Sequence, residues 1–197
     1  MTHELKKIVE TYKEAHKKGL HAVLATVVAL EGTSYRRPGV RMLILEDGSM
    51  VGAVSGGCVE QEVRKQATSV FNSGTPKMMT YDGRYRLGCE GLLYILLELF
   101  KPTDNLLEEF GRTLHERQFF SVSSLFAKSD AESSDFGSFL RLGGADYSLR
   151  PTVEIIPDTK NVELLRFDQV MEPCFQLIIF GAEHDTVQLC SLATMLG

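Results

Sequence analysis

The chain has 197 residues, 44% of them apolar, with a formal net charge of −5 and no tryptophan. A chain of this length buries about 70% of its unfolded surface, enough for a core without staples. Its basic residues do not gather into one block, so bulk charge indicates no nucleic-acid partner and no anionic membrane.

Met1-Thr2-His3-Glu4-Leu5-Lys6-Lys7 carries no leader signature, and no apolar run is long enough to span a bilayer, so a cytoplasmic protein is expected. In that compartment the four cysteines read as reduced functional or core thiols rather than a disulfide framework.

Leu5, Ile8, Val9, Tyr12 and Ala15 fall at helical spacing, which predicts an opening helix that ends near Gly19. His21 to Leu30 is a valine-rich run with the length of a buried strand. A polar loop, Glu31 to Gly39, then carries Arg36 and Arg37. The runs Val40–Leu45 and Met50–Val54 flank Asp47-Gly48, a strong hairpin signal. Cys58 to Phe71 has helical spacing through Val59, Val63, Ala67 and Val70, with a stop at Asn72-Ser73-Gly74.

Lys77–Tyr81 is a short strand candidate, and Leu92–Leu99 reads as a central strand after the turn at Asp82-Gly83. Asp104 to Glu116 reads as a helix capped by Thr103 or Asp104, followed by a strand over Phe119–Ala127. From Lys128 to Gly144 the serine, aspartate and glycine content predicts a loop or insertion. Val153–Ile156 and Val162–Phe167 are short strand candidates. Leu177-Ile178-Ile179-Phe180-Gly181 reads as a strand entering a turn, with a helix over Thr186–Leu196. A strand, a turn and one helix make only the first half of a βαβ unit, which needs a parallel mate. The expected fold class is α/β, with residues 1–102 as one domain, 103–172 continuing it around the loop at 128–144, and 173–197 starting an incomplete Rossmann-like unit.

The most informative residues are two glycine-bracketed cysteines: Cys58 in Ser55-Gly56-Gly57-Cys58-Val59-Glu60, and Cys89 in Leu87-Gly88-Cys89-Glu90-Gly91. Glycine lets a backbone approach another group closely, and a helix start offers free N–H groups and positive partial charge. Cys58 is therefore placed for a lowered thiol pKa and for facing an anion. Taken alone, either cysteine is equally well a small buried apolar residue.

Gly32-Thr33-Ser34-Tyr35-Arg36-Arg37-Pro38-Gly39-Val40-Arg41-Met42, then Asp47-Gly48, Gly52 and Ser55 to Glu60, resembles the N-terminal domain of the xanthine dehydrogenase accessory protein (XdhC/CoxI) family. The Leu87–Gly91 loop running into Tyr94–Glu98 is similar to that family's second motif, and Leu177–Gly197 to the start of its C-terminal Rossmann-like domain. The resemblance implies a non-catalytic maturation factor. Such a protein binds the molybdenum cofactor (molybdopterin), holds it during sulfuration, and delivers it to the apo-enzyme of a molybdenum hydroxylase.

A cysteine desulfurase is then an implied partner, and a homodimer is expected because loops gripping a large cofactor gain from closure by a second subunit. No catalytic residue is assigned. The implied cofactor-binding residues are Arg36, Arg37, Ser55, Gly56, Gly57, Cys58 and Cys89. Backbone N–H groups at Gly56 and Gly57 and the Ser55 hydroxyl would donate to a phosphate, and Arg36 and Arg37 would supply forked donors. Thiolates at Cys58 and Cys89 would suit molybdenum or a transferred sulfur.

Two positions depart from the pattern. Glu90 stands where the family has glycine and disfavours the Cys89 thiolate. In Gly181-Ala182-Glu183-His184-Asp185-Thr186, Glu183 replaces a fingerprint glycine and argues against NAD(P).

Other polar residues have plainer readings. Arg41 lies at the opposite strand phase from Met42 and Ile44 and reads as exposed, Glu60 as favouring its helix N-terminus, Cys174 and Cys190 as core, and His184 as a capping residue. Zinc, hydrolase and Walker motifs are absent from the sequence. Two alternatives stay open: a Rossmann-containing oxidoreductase, and a thiol-based sulfur-transfer or redox enzyme that uses Cys58.

Overall fold

The computed structural model describes residues 1–55, 57, 59–84, 91–150 and 164–196. The opening helix, α1 (Thr2–Lys17), buries Leu5, Ile8, Val9, Tyr12 and Ala15, the stripe that its periodicity marks. Strands β1 (Ala22–Glu31), β2 (Arg41–Leu45) and β3 (Met50–Gly52) follow as consecutive antiparallel partners. Asp47 shapes the turn between β2 and β3, its Oδ1 accepting from the Ser49 N–H at 2.9 Å and the Ser49 hydroxyl at 2.6 Å.

Helix α2 (Glu60–Ser73) ends on Gly74 in the left-handed region, as the Asn-Ser-Gly stop predicts. The chain returns through β4 (Lys77–Asp82) and β5 (Leu92–Leu99), then α3 (Asp104–His115), where Thr103 Oγ1 accepts from the Leu106 N–H at 3.3 Å. The remaining elements are β6 (Phe120–Phe126), β7 (Ala131–Glu132), β8 (Gly137–Leu142), β9 (Ala145–Ser148), β10 (Leu165–Met171) and α4 (His184–Leu196).

Two antiparallel sheets organise these elements. One has six strands in the order β3-β2-β1-β5-β4-β7, the other four in the order β10-β6-β8-β9. The larger sheet is covered on both faces. On one, Val63, Ala67 and Val70 of α2 pack against Val23, Ala25, Val27, Met42, Ile44, Ile95 and Leu97. On the other, Leu24, Leu43 and Leu45 meet α1, α3 and Phe120, Val122, Leu140 and Leu142 of the smaller sheet.

Double coverage corrects the reading of Arg41. It does take the opposite phase from Met42 and Ile44, but that face meets the second sheet rather than water, and all five residues of β2 are buried. The segment 128–144 is likewise not a loop, since it supplies β7 and β8. Its serines mislead because Ser138 of β8 is buried and its hydroxyl pairs with that of Ser124 on β6 at 2.8 Å.

Beyond β10 the expected strand over Leu177–Gly181 finds no pairing partner among the described residues, although the helix after it forms as α4. Extended backbone without a neighbour has no ladder to join. Apolar side chains of this segment remain exposed, among them Phe175, Phe180 and Met195. Cys174 is half-buried and Cys190 exposed, so neither is a core residue as expected. The candidate strand Val153–Ile156 lies outside the described residues. Among the described residues no helix is long and apolar enough to cross a membrane.

Candidate functional site

Antiparallel alternation delivers the motif loops to one end of the larger sheet. The registers Thr26↔Arg41 and Met42↔Gly52 set the start of β2 and the end of β3 level with the middle of β1, and Glu31↔Leu92 and Asp82↔Leu92 set the start of β5 and the end of β4 level with the end of β1, all facing the same way. The connections 32–40, 53–59 and 83–91 therefore all leave the sheet at that end. Two of them touch. A Cβ on Gly91 would lie 2.5 Å from the Thr33 carbonyl oxygen and 2.9 Å from Leu30 Cδ1, so only glycine lets these backbones approach. Gly83 N–H also donates to the Gly91 carbonyl at 2.9 Å, which closes the base of the second cysteine loop.

The first cysteine loop is braced by a buried carboxylate. Glu60, 8% exposed, accepts from the Ser55 N–H and from the Ser55 hydroxyl, both at 2.8 Å. The same hydroxyl oxygen accepts from the N–H of Gly57 at 3.2 Å and of Val59 at 3.3 Å. Burial pushes the Glu60 carboxyl up, but hydrogen bonds from Ser55 and from the N–H groups of Glu60 and Gly57 outweigh it and hold the group below its usual value. The Ser55 proton is thus committed to Glu60, and its hydroxyl shapes the loop. Gly56 and Cys58 lie outside the described residues; α2 begins at Glu60, just after them.

The arginine loop presents donors. Tyr35 is 78% exposed, and the Arg36 guanidinium carbon sits 5.8 Å from its ring centroid. Arg36 Nε and Ser34 Oγ are shielded from solvent and find no hydrogen-bond partner among the described residues, whereas Arg37 is exposed. Arg41 supports the loop from beneath, its Nη1 donating to the Gly39 carbonyl at 2.8 Å.

A charged rim adjoins both loops. Lys128 Nζ donates to Glu31 Oε1 at 2.8 Å and lies 5.5 Å from the Tyr94 ring centroid. The Lys128 ammonium draws the Glu31 carboxyl down, and Glu31 in turn raises Lys128. Arg84 Nε donates to Asp82 Oδ1 at 2.9 Å where the third loop leaves β4.

Of the residues singled out in the sequence, Arg36, Arg37, Ser55 and Gly57 belong to loops at this one end. Cys89, with Gly88 and Glu90, lies outside the described residues, but the loop that contains it is anchored there through Gly83 and Gly91. Among the described residues no group of three or more His, Cys, Asp or Glu is placed to hold a metal ion. The arginine loop offers forked donors at the end of the sheet from which the two connections with cysteines in their sequence also leave, a residue set suited to an anionic ligand that carries a soft centre. Sequence reasoning missed the braces. A Ser-x4-Glu spacing across the helix start signals Glu60, whereas nothing local signals Arg41.

The second glycine turn is closed. A Cβ on Gly181 would meet Thr186 Oγ1 at 2.9 Å, so that side chain occupies the space before the glycine, beside the exposed Glu183.

Residues 15–82 match the model of the XdhC and CoxI family, a span that includes Arg36, Arg37, the Ser55–Cys58 loop and Glu60. The chain is 36% identical over 202 residues to the molybdenum cofactor insertion chaperone PaoD of Escherichia coli (strain K12), covering 100% of this chain and 57% of that protein. It is 31% identical over 194 residues to a probable xanthine dehydrogenase subunit of Bacillus subtilis (strain 168), covering 89% of this chain and 57% of that one. The crystal structure of a xanthine dehydrogenase from Bacillus halodurans superposes with a TM-score of 0.69 at 27% identity, over 96% of this chain and 60% of the other. The chain thus spans somewhat over half the length of these relatives.

Proposed function

We propose, on the premise that this chain belongs to the XdhC and CoxI family over residues 15–82, that it binds the molybdenum cofactor and serves the maturation of a xanthine dehydrogenase-like molybdenum hydroxylase. The observation that carries this reading is that the arginine loop and the two connections whose sequence bears Cys58 and Cys89 leave the sheet at the same end, with Gly91 seated on Thr33. The donor set fits the group. Arg36 Nε and Ser34 Oγ lack partners among the described residues and face the ligand's phosphate in this reading, together with Arg37 and the backbone N–H of Gly56, whereas the Gly57 N–H and the Ser55 hydroxyl are engaged within their own loop. The thiols of Cys58 and Cys89 serve as soft contacts. When bound, the cofactor supplies the molybdenum centre on which the client enzyme depends. The protein's part is to grip it, keep it from water during sulfuration by a cysteine desulfurase, and release it to the apo-enzyme. A homodimer would close the gripping loops from above.

The resemblance of the insertion chaperone PaoD over the whole chain supports this assignment. The test is expression in a molybdopterin-producing host, followed by purification and fluorescence of the oxidised pterin released. Wild-type protein is expected to carry pterin well above background, and Cys58→Ala or Cys89→Ala to lose client maturation while remaining folded. Background pterin in the wild type would refute the reading, and full maturation with both alanines present would refute the role given to the thiols.

A further inference from the structure

Arg41 stands in the core where packing alone asks for an aliphatic side chain. It is 6% exposed and packed between the sheets, and its Nε and Nη2 find no partner among the described residues. Burying a guanidinium so incompletely satisfied destabilises the fold relative to a well-packed apolar residue. What it holds explains its presence. Nη1 donates both to the Gly39 carbonyl at 2.8 Å and to Gln169 Oε1 of β10 at 2.7 Å. Gln169 also covers Gly39 directly, since a Cβ there would lie 2.5 Å from Gln169 Nε2. Gly39 is the last residue of the arginine loop, and its N–H bonds the Val27 carbonyl at 2.8 Å, where the β1–β2 ladder takes over.

We infer that Arg41 and Gln169 are positioning residues for the loop 32–39: the guanidinium ties the loop's base to β10 across the inter-sheet space and so fixes where Arg36 and Arg37 present their donors. That consequence for ligand binding rests on the reading of this loop as part of the cofactor site. The surroundings agree with a held, desolvated cation. Burial draws the Arg41 guanidinium down to about 10, opposed by the charges of Glu98 and Glu4. Glu98 is itself fully buried, its Oε2 accepting from the Ser138 N–H at 2.9 Å, which ties β5 to β8 in the same inter-sheet space.

The test compares the full-length chain with Gln169→Leu, which keeps volume but removes the acceptor, and with Gln169→Glu, which restores it. Hydrogen exchange read by mass spectrometry at residues 27 and 39–40 is set against α2 as an internal reference. Gln169→Leu is expected to speed exchange at the loop base at least about tenfold, the factor set by one lost hydrogen bond, with α2 unchanged. Gln169→Glu is expected to return it to the wild-type rate. Pterin retained from a cofactor-producing host should fall several-fold in Gln169→Leu and recover in Gln169→Glu. Arg41→Met, which removes both donated bonds while keeping an apolar stem of similar length, gives the same readout if Gln169→Leu does not fold. Unchanged exchange at 39–40 in a folded variant overturns the inference. Because exchange is measured without ligand, a wild type devoid of pterin refutes the cofactor reading and leaves the positioning test standing.

Discussion

Replacing Glu60 by glutamine isolates what the buried carboxylate does for the first cysteine loop. The side chain keeps its shape, but one of its two acceptor oxygens becomes a donor facing the Ser55 N–H and hydroxyl, each now bonded at 2.8 Å. One hydrogen bond to a charge is lost and the other becomes neutral, a destabilisation of about 2 kcal/mol. In a chain of this size that lowers the melting temperature by about 4–8 °C.

The pH dependence carries the sharper test. The folded-state pKa of Glu60 lies below its ordinary 4.5, so its contribution is fully present above that value and is lost as pH falls through the lower, folded one. Thermal unfolding of wild type and Glu60→Gln in parallel, from pH 7 down to about 3.5, should show a gap near its maximum at neutral pH that narrows below pH 4.5. Equal melting temperatures at pH 7 would refute the brace. A gap that stays constant into acid would refute the carboxylate as its cause.

Two glycines give predictions of the opposite kind, in which an added atom is the perturbation. Gly91→Ala places a methyl 2.5 Å from the Thr33 carbonyl and is expected to cost about 1–3 kcal/mol while separating the arginine loop from the second cysteine loop. Urea unfolding together with retained pterin checks it, and unchanged values in both would show that the two loops do not depend on this contact. Gly52→Ala sets a side chain at φ +87 with its Cβ upon the Arg41 carbonyl, so a loss of about 2–3 kcal/mol is expected in the same unfolding assay, beyond what the backbone conformation alone explains.

The first hundred residues were legible because local rules and the global fold agree there. α1 shows a 3.6-residue stripe, Asp47-Gly48 makes the turn it promises, and Leu92–Leu99 forms the central strand that its apolar run implies. Legibility failed where a residue's environment is supplied by a distant segment. Composition marks 128–144 as loop, yet Ser138 is buried because Ser124, fourteen positions away, satisfies its hydroxyl across the β6–β8 ladder. Leu177–Phe180 has the composition of a strand, but strand formation is a property of a pair, and no partner lies beside it among the described residues.

The site divides along the same line. Residues that would touch a ligand are announced by type and spacing, because forked donors, glycines and thiols cluster in short loops whatever the rest of the chain does. Residues that hold those loops in place are not announced, since their partners are chosen by tertiary packing. Glu60 lies five positions from Ser55, close enough for a sequence to hint at the brace. Gln169 lies 128 positions from Arg41, and only the stacking of the second sheet on the first brings its amide to the guanidinium. Strand phase alone sends Arg41 to solvent; the second sheet turns that exposed face into an interior, and the same charge that looked decorative becomes the anchor of the arginine loop. A variant at Gln169 therefore tests both steps at once, since it disturbs a loop it does not belong to through a residue whose burial the sequence conceals.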